Sequence, residues 1–171
     1  MTSIVKANQH DFRLLAEIGK LSFIESHGHS ATKEIIDQYV NKKYTEEEAH
    51  KELSNPENSY FFILHNGKPA GYSKIVLNAS HPNIAEKNVT KLDRLYVLKE
   101  FYDLKLGLQL FNFNLDLSES AQQSGMWLFV WTENQRAVNF YTKAGFKMIA
   151  AYNFKLTENH SNPNHQMFLR Y

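Results

Sequence analysis

In this chain of 171 residues chemistry has to come from carboxylates, histidines, phenols and backbone turns, because there is no cysteine. That absence excludes thiolate nucleophiles, disulfides and thiolate-bound zinc. The histidine clusters are His27-x-His29 and the pair His160 and His165. Neither has a carboxylate at ligand spacing, so they read as surface-loop histidines and no metal is expected. Glu46-Glu47-Glu48 follows Thr45 as first-turn acids follow a helix cap. No Gly-x-Ser-x-Gly, Walker A or HExxH string occurs. Two segments remain. One runs from a strand through Glu100-Phe101-Tyr102-Asp103-Leu104-Lys105-Leu106-Gly107 into a helix. Unpaired N–H groups at such a helix start attract anions, although the single glycine also suits an ordinary strand-to-helix turn. The other is Asn134, an N-cap type, ahead of the stripe Ala137, Val138, Tyr141 and Ala144, with Gly145 and Phe146 placed for a Schellman stop.

The elements that carry these segments follow from periodicity. Ser3 to Ala7 reads as a strand, and Phe12, Leu15 and Ile18 mark a helix over 11–26. Ile35, Ile36, Tyr39 and Val40 mark a second helix, and Thr45 opens a third, ending at Leu53. Tyr60 to Leu64, the turn His65-Asn66-Gly67-Lys68 and Ala70 to Leu77 form a hairpin. Residues 78–87 read as a loop and Thr90 to Val97 as a strand, with Asp93, Leu95 and Val97 on one side and Leu92, Arg94 and Tyr96 on the other. The stretch 104–124 alternates like a strand around Phe111 to Leu117 yet also carries helical spacing, and its length favours a helix. Met126 to Trp131 is an apolar strand, and Met148 to Leu156 and Gln166 to Tyr171 are two more. This order of elements specifies an α/β (α+β) fold, a mixed sheet with helices on both faces.

Composition bounds the rest. Nineteen Lys and Arg against eighteen Asp and Glu leave a formal charge of +1, which gives no bulk attraction for nucleic acid or an acidic membrane. The longest apolar run is six residues, Met126 to Trp131, far below the ~20 of a membrane span. The first residues lack the apolar core of a secretory signal, so a soluble, cytoplasmic, single domain over 1–171 is expected.

The string Glu133-Asn134-x-Arg136-Ala137-x-x-Phe140-Tyr141-x-Lys143-x-Gly145-Phe146, with Leu92 to Leu98 and the turn after it, resembles the GNAT superfamily of acetyl-CoA-dependent N-acetyltransferases. Within that superfamily the chain is similar to the bacterial spermidine/spermine branch, including its ending, Phe154-Lys155-Leu156 and Gln166-Met167-x-Leu169. The resemblance implies a sheet of about seven strands splayed between the fourth and fifth. It implies acetyl-CoA as cosubstrate, acetyl transfer to a primary amine by direct attack in a ternary complex, a small-molecule acceptor with a polyamine first, and a homodimer.

Position by position, the backbone of Leu95, Tyr96 and Val97 would face the pantetheine arm, and Tyr102, Asp103, Leu104, Lys105, Leu106, Gly107 and Leu108 would wrap the pyrophosphate. Asn134 would hydrogen-bond the cofactor, Lys143 would lie near the nucleotide, and Tyr141 would protonate the leaving thiolate. The family turn usually reads Arg/Gln-x-x-Gly-x-Gly/Ala, whereas this chain has Tyr102 and Lys105 at its first cationic and first glycine positions. A base must take the amine proton, and Asp93 and Glu25 are the candidates, each with a structural alternative: an ion pair with Lys91 or Arg94, and a solvated helix end. Acceptors other than polyamines (an amino acid, an antibiotic amine, a protein amine) stay open, as does a non-catalytic CoA-binding module.

Overall fold

The computed structural model describes residues 1–171. Its elements are β1 (Thr2–Lys6), α1 (Phe12–His27), α2 (Lys33–Lys43), α3 (Glu46–Ser54), β2 (Asn58–His65), β3 (Lys68–Val76), β4 (Thr90–Val97), α4 (Leu106–Ser120), β5 (Gly125–Trp131), α5 (Gln135–Lys143), β6 (Lys147–Thr157) and β7 (His160–Arg170). A 3-10 turn, Gln9–Asp11, precedes α1, and another, Lys99–Leu104, occupies most of the stretch between β4 and α4. The strands form one mixed seven-stranded sheet in the order β1-β2-β3-β4-β5-β7-β6. The ambiguous stretch 104–124 is helical, as its length suggested.

The chain divides into two compact units, Met1–Ile75 with Arg94–Asn114, and Val76–Asp93 with Leu115–Tyr171. In the first, Asn66 and Gly67 both take positive φ, 51° and 77°, the left-handed pair that closes a two-residue hairpin between β2 and β3. Tyr60, Phe62 and Tyr72 pack with Leu15, Ile18 and Ala49 on the α1–α3 side. Phe61 meets Phe113 edge-on, and Ser73 bonds Asn114, on the α4 side. Helices therefore cover both faces. Gly71 allows the strands to close up: a Cβ there would stand 2.4 Å from the Tyr96 carbonyl oxygen.

In the second unit β5 pairs antiparallel with β7 along its whole length, from Gly125↔Arg170 to Trp131↔Asn164. Its parallel pairing with β4 has only two rungs, Thr90↔Met126 and Lys91↔Trp127, and leaves Leu92–Val97 outside that ladder. Within the second unit, Thr90 of β4 bonds Ser118 of α4.

Candidate active site

The segment from β4 to α4 is built mainly by backbone. Leu98 N–H donates to the Ala70 carbonyl at 2.8 Å, and Phe101 N–H to the Leu98 carbonyl at 2.9 Å. Tyr102, Asp103 and Leu104 lie in the 3-10 turn, and Lys105 ends it with φ 56°, ψ 24°, a left-handed conformation. The bond from Gln109 N–H to the Lys105 carbonyl starts α4, so the amides of Leu106, Gly107 and Leu108 precede any intrahelical acceptor. A Cβ on Gly107 would meet only Val97 Cγ2, at an ordinary 3.7 Å. The fold itself does not require glycine there, whereas a group lying close against the helix start would. Glu25 sits at this turn: its carboxylate accepts the Lys99 N–H at 2.8 Å. That bond ties α1 to the start of the 3-10 turn and gives Glu25 a structural task.

The second unit carries the side-chain part. Asn134 Oδ1 caps α5 by accepting the Ala137 N–H at 3.2 Å, a bond that does not use its Nδ2 donor. The helix ends as a Schellman motif, with Phe146 N–H on the Tyr141 carbonyl, Gly145 N–H on the Thr142 carbonyl, and Gly145 at φ 101°. Tyr141 is buried, and its ring meets Phe146 and Phe140 edge-on at 5.5 and 5.3 Å. Burial raises its phenol above the ordinary value, so the neutral form, which carries a proton to donate, is favoured near neutrality. Lys143 is exposed at the end of α5. Asp93 pairs with Lys91 at 2.8 Å, and the Lys91 ammonium lies over the Trp127 and Phe129 rings. The ion pair is the structural alternative anticipated for Asp93. No cluster of three or more potential metal ligands occurs.

The description "Acetyltransferase (GNAT) family" matches residues 22–146, most of the chain. The protein belongs to the GNAT family. An uncharacterised N-acetyltransferase encoded 3′ of pepI in Lactobacillus delbrueckii subsp. lactis is 27% identical over 153 residues, 90% of this chain and 88% of that one. The structure is similar to the PaiA N-acetyltransferase of Thermoplasma acidophilum in complex with coenzyme A, with a TM-score of 0.78 at 20% identity, covering 100% and 99% of the two chains. It is also similar to the ribosomal-protein-S18-alanine N-acetyltransferase of Escherichia coli, with a TM-score of 0.72 at 18% identity over 99% and 94%. These likenesses establish the GNAT fold. The protein is thus an N-acetyltransferase with acetyl-CoA as donor. No helix is long and apolar enough to cross a membrane.

One group escaped the sequence reading. Arg94, Tyr44, Tyr60, Tyr72 and Tyr96 gather on the α1 side of the first unit, with Glu52 and Lys74 beside them. The available signal was a charged residue, Arg94, on the side of β4 that also carries Leu92 and Tyr96.

Proposed function

We propose that this GNAT enzyme moves acetyl from acetyl-CoA to a primary amine of a small molecule by direct attack in a ternary complex. The observation that carries the reading is the turn into α4: a left-handed Lys105, open N–H groups and a Gly107 whose missing Cβ the fold does not need. These suit a pyrophosphate, which backbone amides at a helix start bind well. The turn of Tyr102 to Leu108 would hold the phosphates, and the β4 backbone of Leu95 to Val97, outside the β5 ladder, would receive the pantetheine arm. Asn134 through Nδ2, and Lys143, would bind further along the cofactor. Acetyl-CoA supplies the acetyl group as a thioester. Tyr141 would donate its proton at the departing sulfur, and burial keeps that proton in place until then. A carboxylate would accept the amine proton. Asp93, paired with Lys91, and Glu25, holding the Lys99 amide, are the candidates for that task. With no cysteine, no thiol can carry the acetyl group between the two substrates.

A non-catalytic CoA-binding module was suggested by the lost glycine at Lys105. Lys105 nevertheless takes the conformation that glycine would, which weakens that argument. The test is coenzyme A release across an amine panel that includes polyamines, amino acids and an N-terminal peptide amine, with the acetylated product identified by mass. Release with no member of the panel refutes the transfer reading.

A further inference from the structure

Three alternate positions of β7, Asn162, Asn164 and Gln166, carry buried amides on one face of the strand. A polar group taken from water needs a partner, which is why such faces are ordinarily apolar. Gln166 is incompletely matched. It is 1% exposed, its Oε1 accepts from Asn83 Nδ2 at 2.7 Å, and its Nε2 has no hydrogen-bond partner. A buried donor left in this state is costly unless something completes it.

The surroundings of Gln166 belong wholly to the second unit. The registers place it opposite Phe129 of β5 and Ala150 of β6, so the three share a face of the sheet. Asn164 and Tyr152 stand opposite each other on that same face. Tyr152 reaches across β7 and stacks on Phe129 with ring centres 4.1 Å apart. Rings from the two flanking strands thus close over Gln166, beside which Ala150 contributes only a methyl group. Tyr152 is 44% exposed, so this cover is one ring thick. The loop 78–87 brings Asn83, itself exposed, and His81, whose ring meets Phe129 edge-on at 6.0 Å. The patch runs on to one candidate base: the Lys91 ammonium lies 5.6 Å from the Phe129 ring centre and pairs with Asp93 at 2.8 Å.

What Nε2 lacks is an acceptor oxygen, because an amide nitrogen only donates. Charge decides which oxygen suits it. The cations near this face are matched, Lys91 by Asp93 and Arg170 by Glu86 at 2.6 Å, so an anion seated on Gln166 would be buried without a countercharge of its own. A neutral carbonyl carries no such penalty. A protonated polyamine offers donors alone and leaves Gln166 unmatched.

We infer that Gln166 Nε2 holds an amide carbonyl of the acceptor, so the amine taken belongs to an amino-acid amide or short peptide and not to a polyamine. The inference rests on the acetyltransferase reading for its meaning, but binding tests it separately. Calorimetry on the full chain with coenzyme A present should compare tyrosinamide with tyramine and lysinamide with cadaverine, together with tyrosine, lysine and spermidine. The amide of at least one pair should bind ~10-fold tighter than its matched amine, and tighter than the free acid and spermidine. Gln166→Met keeps the length of the side chain and removes the donor, and should bring the amide-to-amine ratio to within about threefold of unity. Gln166→Glu keeps an oxygen for Asn83 and lacks the donor, so it serves if the methionine variant fails to fold; the wild-type ratios decide if neither folds. The pantetheine arm of coenzyme A also carries amide carbonyls, and titration of coenzyme A alone separates the two sources. Equal affinity of wild type and variant leaves the carbonyl to the acceptor, whereas a ~10-fold loss assigns it to the arm and overturns the inference. Equal binding within both pairs, tighter binding of the acids or of spermidine, no binding of either amide, or a preference that survives the substitutions also overturns it. Coenzyme A release with acetyl-CoA, scored on the same panel, decides the transfer reading independently: turnover without amide preference sinks only the inference, and amide-selective binding without release sinks only the transfer reading.

Discussion

Asn134 opens α5 through a side-chain bond to Ala137 N–H, whereas α4 opens on a backbone turn in which Lys105 has swung to φ 56°. At α5 the local signals of the pattern take the geometry expected of their types: Asn134 as cap, Gly145 left-handed, Tyr141 against Phe146. At α4 the expected types are missing, since Tyr102 and Lys105 replace a cationic residue and a glycine. Even so, the backbone there has the left-handed residue and the open amides. A site made of N–H groups is specified by conformation, which a lysine can supply at a strain of roughly 1–2 kcal/mol. A site made of side chains is specified by identity, and cannot drift in the same way.

The largest expected effect tests the side-chain end. Tyr141→Phe keeps the ring contacts with Phe140 and Phe146 and removes only the hydroxyl. If Tyr141 protonates the leaving sulfur, kcat should fall by ~10²–10⁴, with acetyl-CoA affinity and melting temperature nearly unchanged. A kcat within about threefold of wild type, with chemistry rate-limiting, would reduce Tyr141 to the hydrophobic contact of a Schellman stop.

The backbone end is tested by the cofactor. Acetyl-CoA at ~100 times its Kd should add roughly 2.7 kcal/mol, which at ~2–4 °C per kcal/mol raises melting by about 5–10 °C. Gly107→Ala should leave the unliganded protein as stable as before or slightly more so, because glycine is unfavourable inside a helix. The shift with acetyl-CoA should nevertheless shrink. An undiminished shift would show that the phosphates do not lie against this helix start.

Smaller effects separate cap from ligand. Asn134→Ala should cost ~1 kcal/mol of stability, the usual loss of an N-cap. Asn134→Asp keeps a capping oxygen but replaces the Nδ2 donor, so affinity for coenzyme A should drop while melting temperature holds. Equal affinity would confine Asn134 to capping. Lys105→Gly is expected to change least, a net gain of up to ~1 kcal/mol once glycine's own entropy cost offsets part of the left-handed strain. Because the conformation already exists with lysine, the mutant loses only charge, and cofactor binding should become weaker and less sensitive to salt. Tighter binding would show that the lysine hinders the turn instead of compensating for it.

Local signals made most elements legible. Asn66-Gly67 specified the hairpin, Thr90–Val97 is the strand its alternation described, and Asn134 and Gly145 bracket α5. Residues 104–124 were ambiguous because Phe111 to Leu117 alternates while lying on a helix with apolar residues on two sides. The left-handed Lys105 was invisible, since nothing in a lysine announces positive φ; tertiary packing imposes it. The bond from Lys99 N–H to Glu25 spans 74 residues and has no local trace. The stacking of Arg94 on Tyr44 and Tyr60 likewise depends on which strands become neighbours. Lys91–Asp93 was legible because the partners are two apart on one strand.

The strand order has a consequence for the chain as it is being made. β7 lies between β5 and β6, and supplies β5 with its one full-length partner. Between the synthesis of Trp131 and that of Arg170 a ribosome working at about 5–20 residues per second needs roughly 2–8 s. Through that interval Met126-Trp127-Leu128-Phe129-Val130-Trp131 has emerged or is emerging with at most the two rungs of β4 to hold it. An apolar strand with an open edge is the kind of segment that nascent-chain chaperones bind and that otherwise recruits other chains. The yield of folded protein should therefore depend on translation rate downstream of Trp131 more than upstream of it.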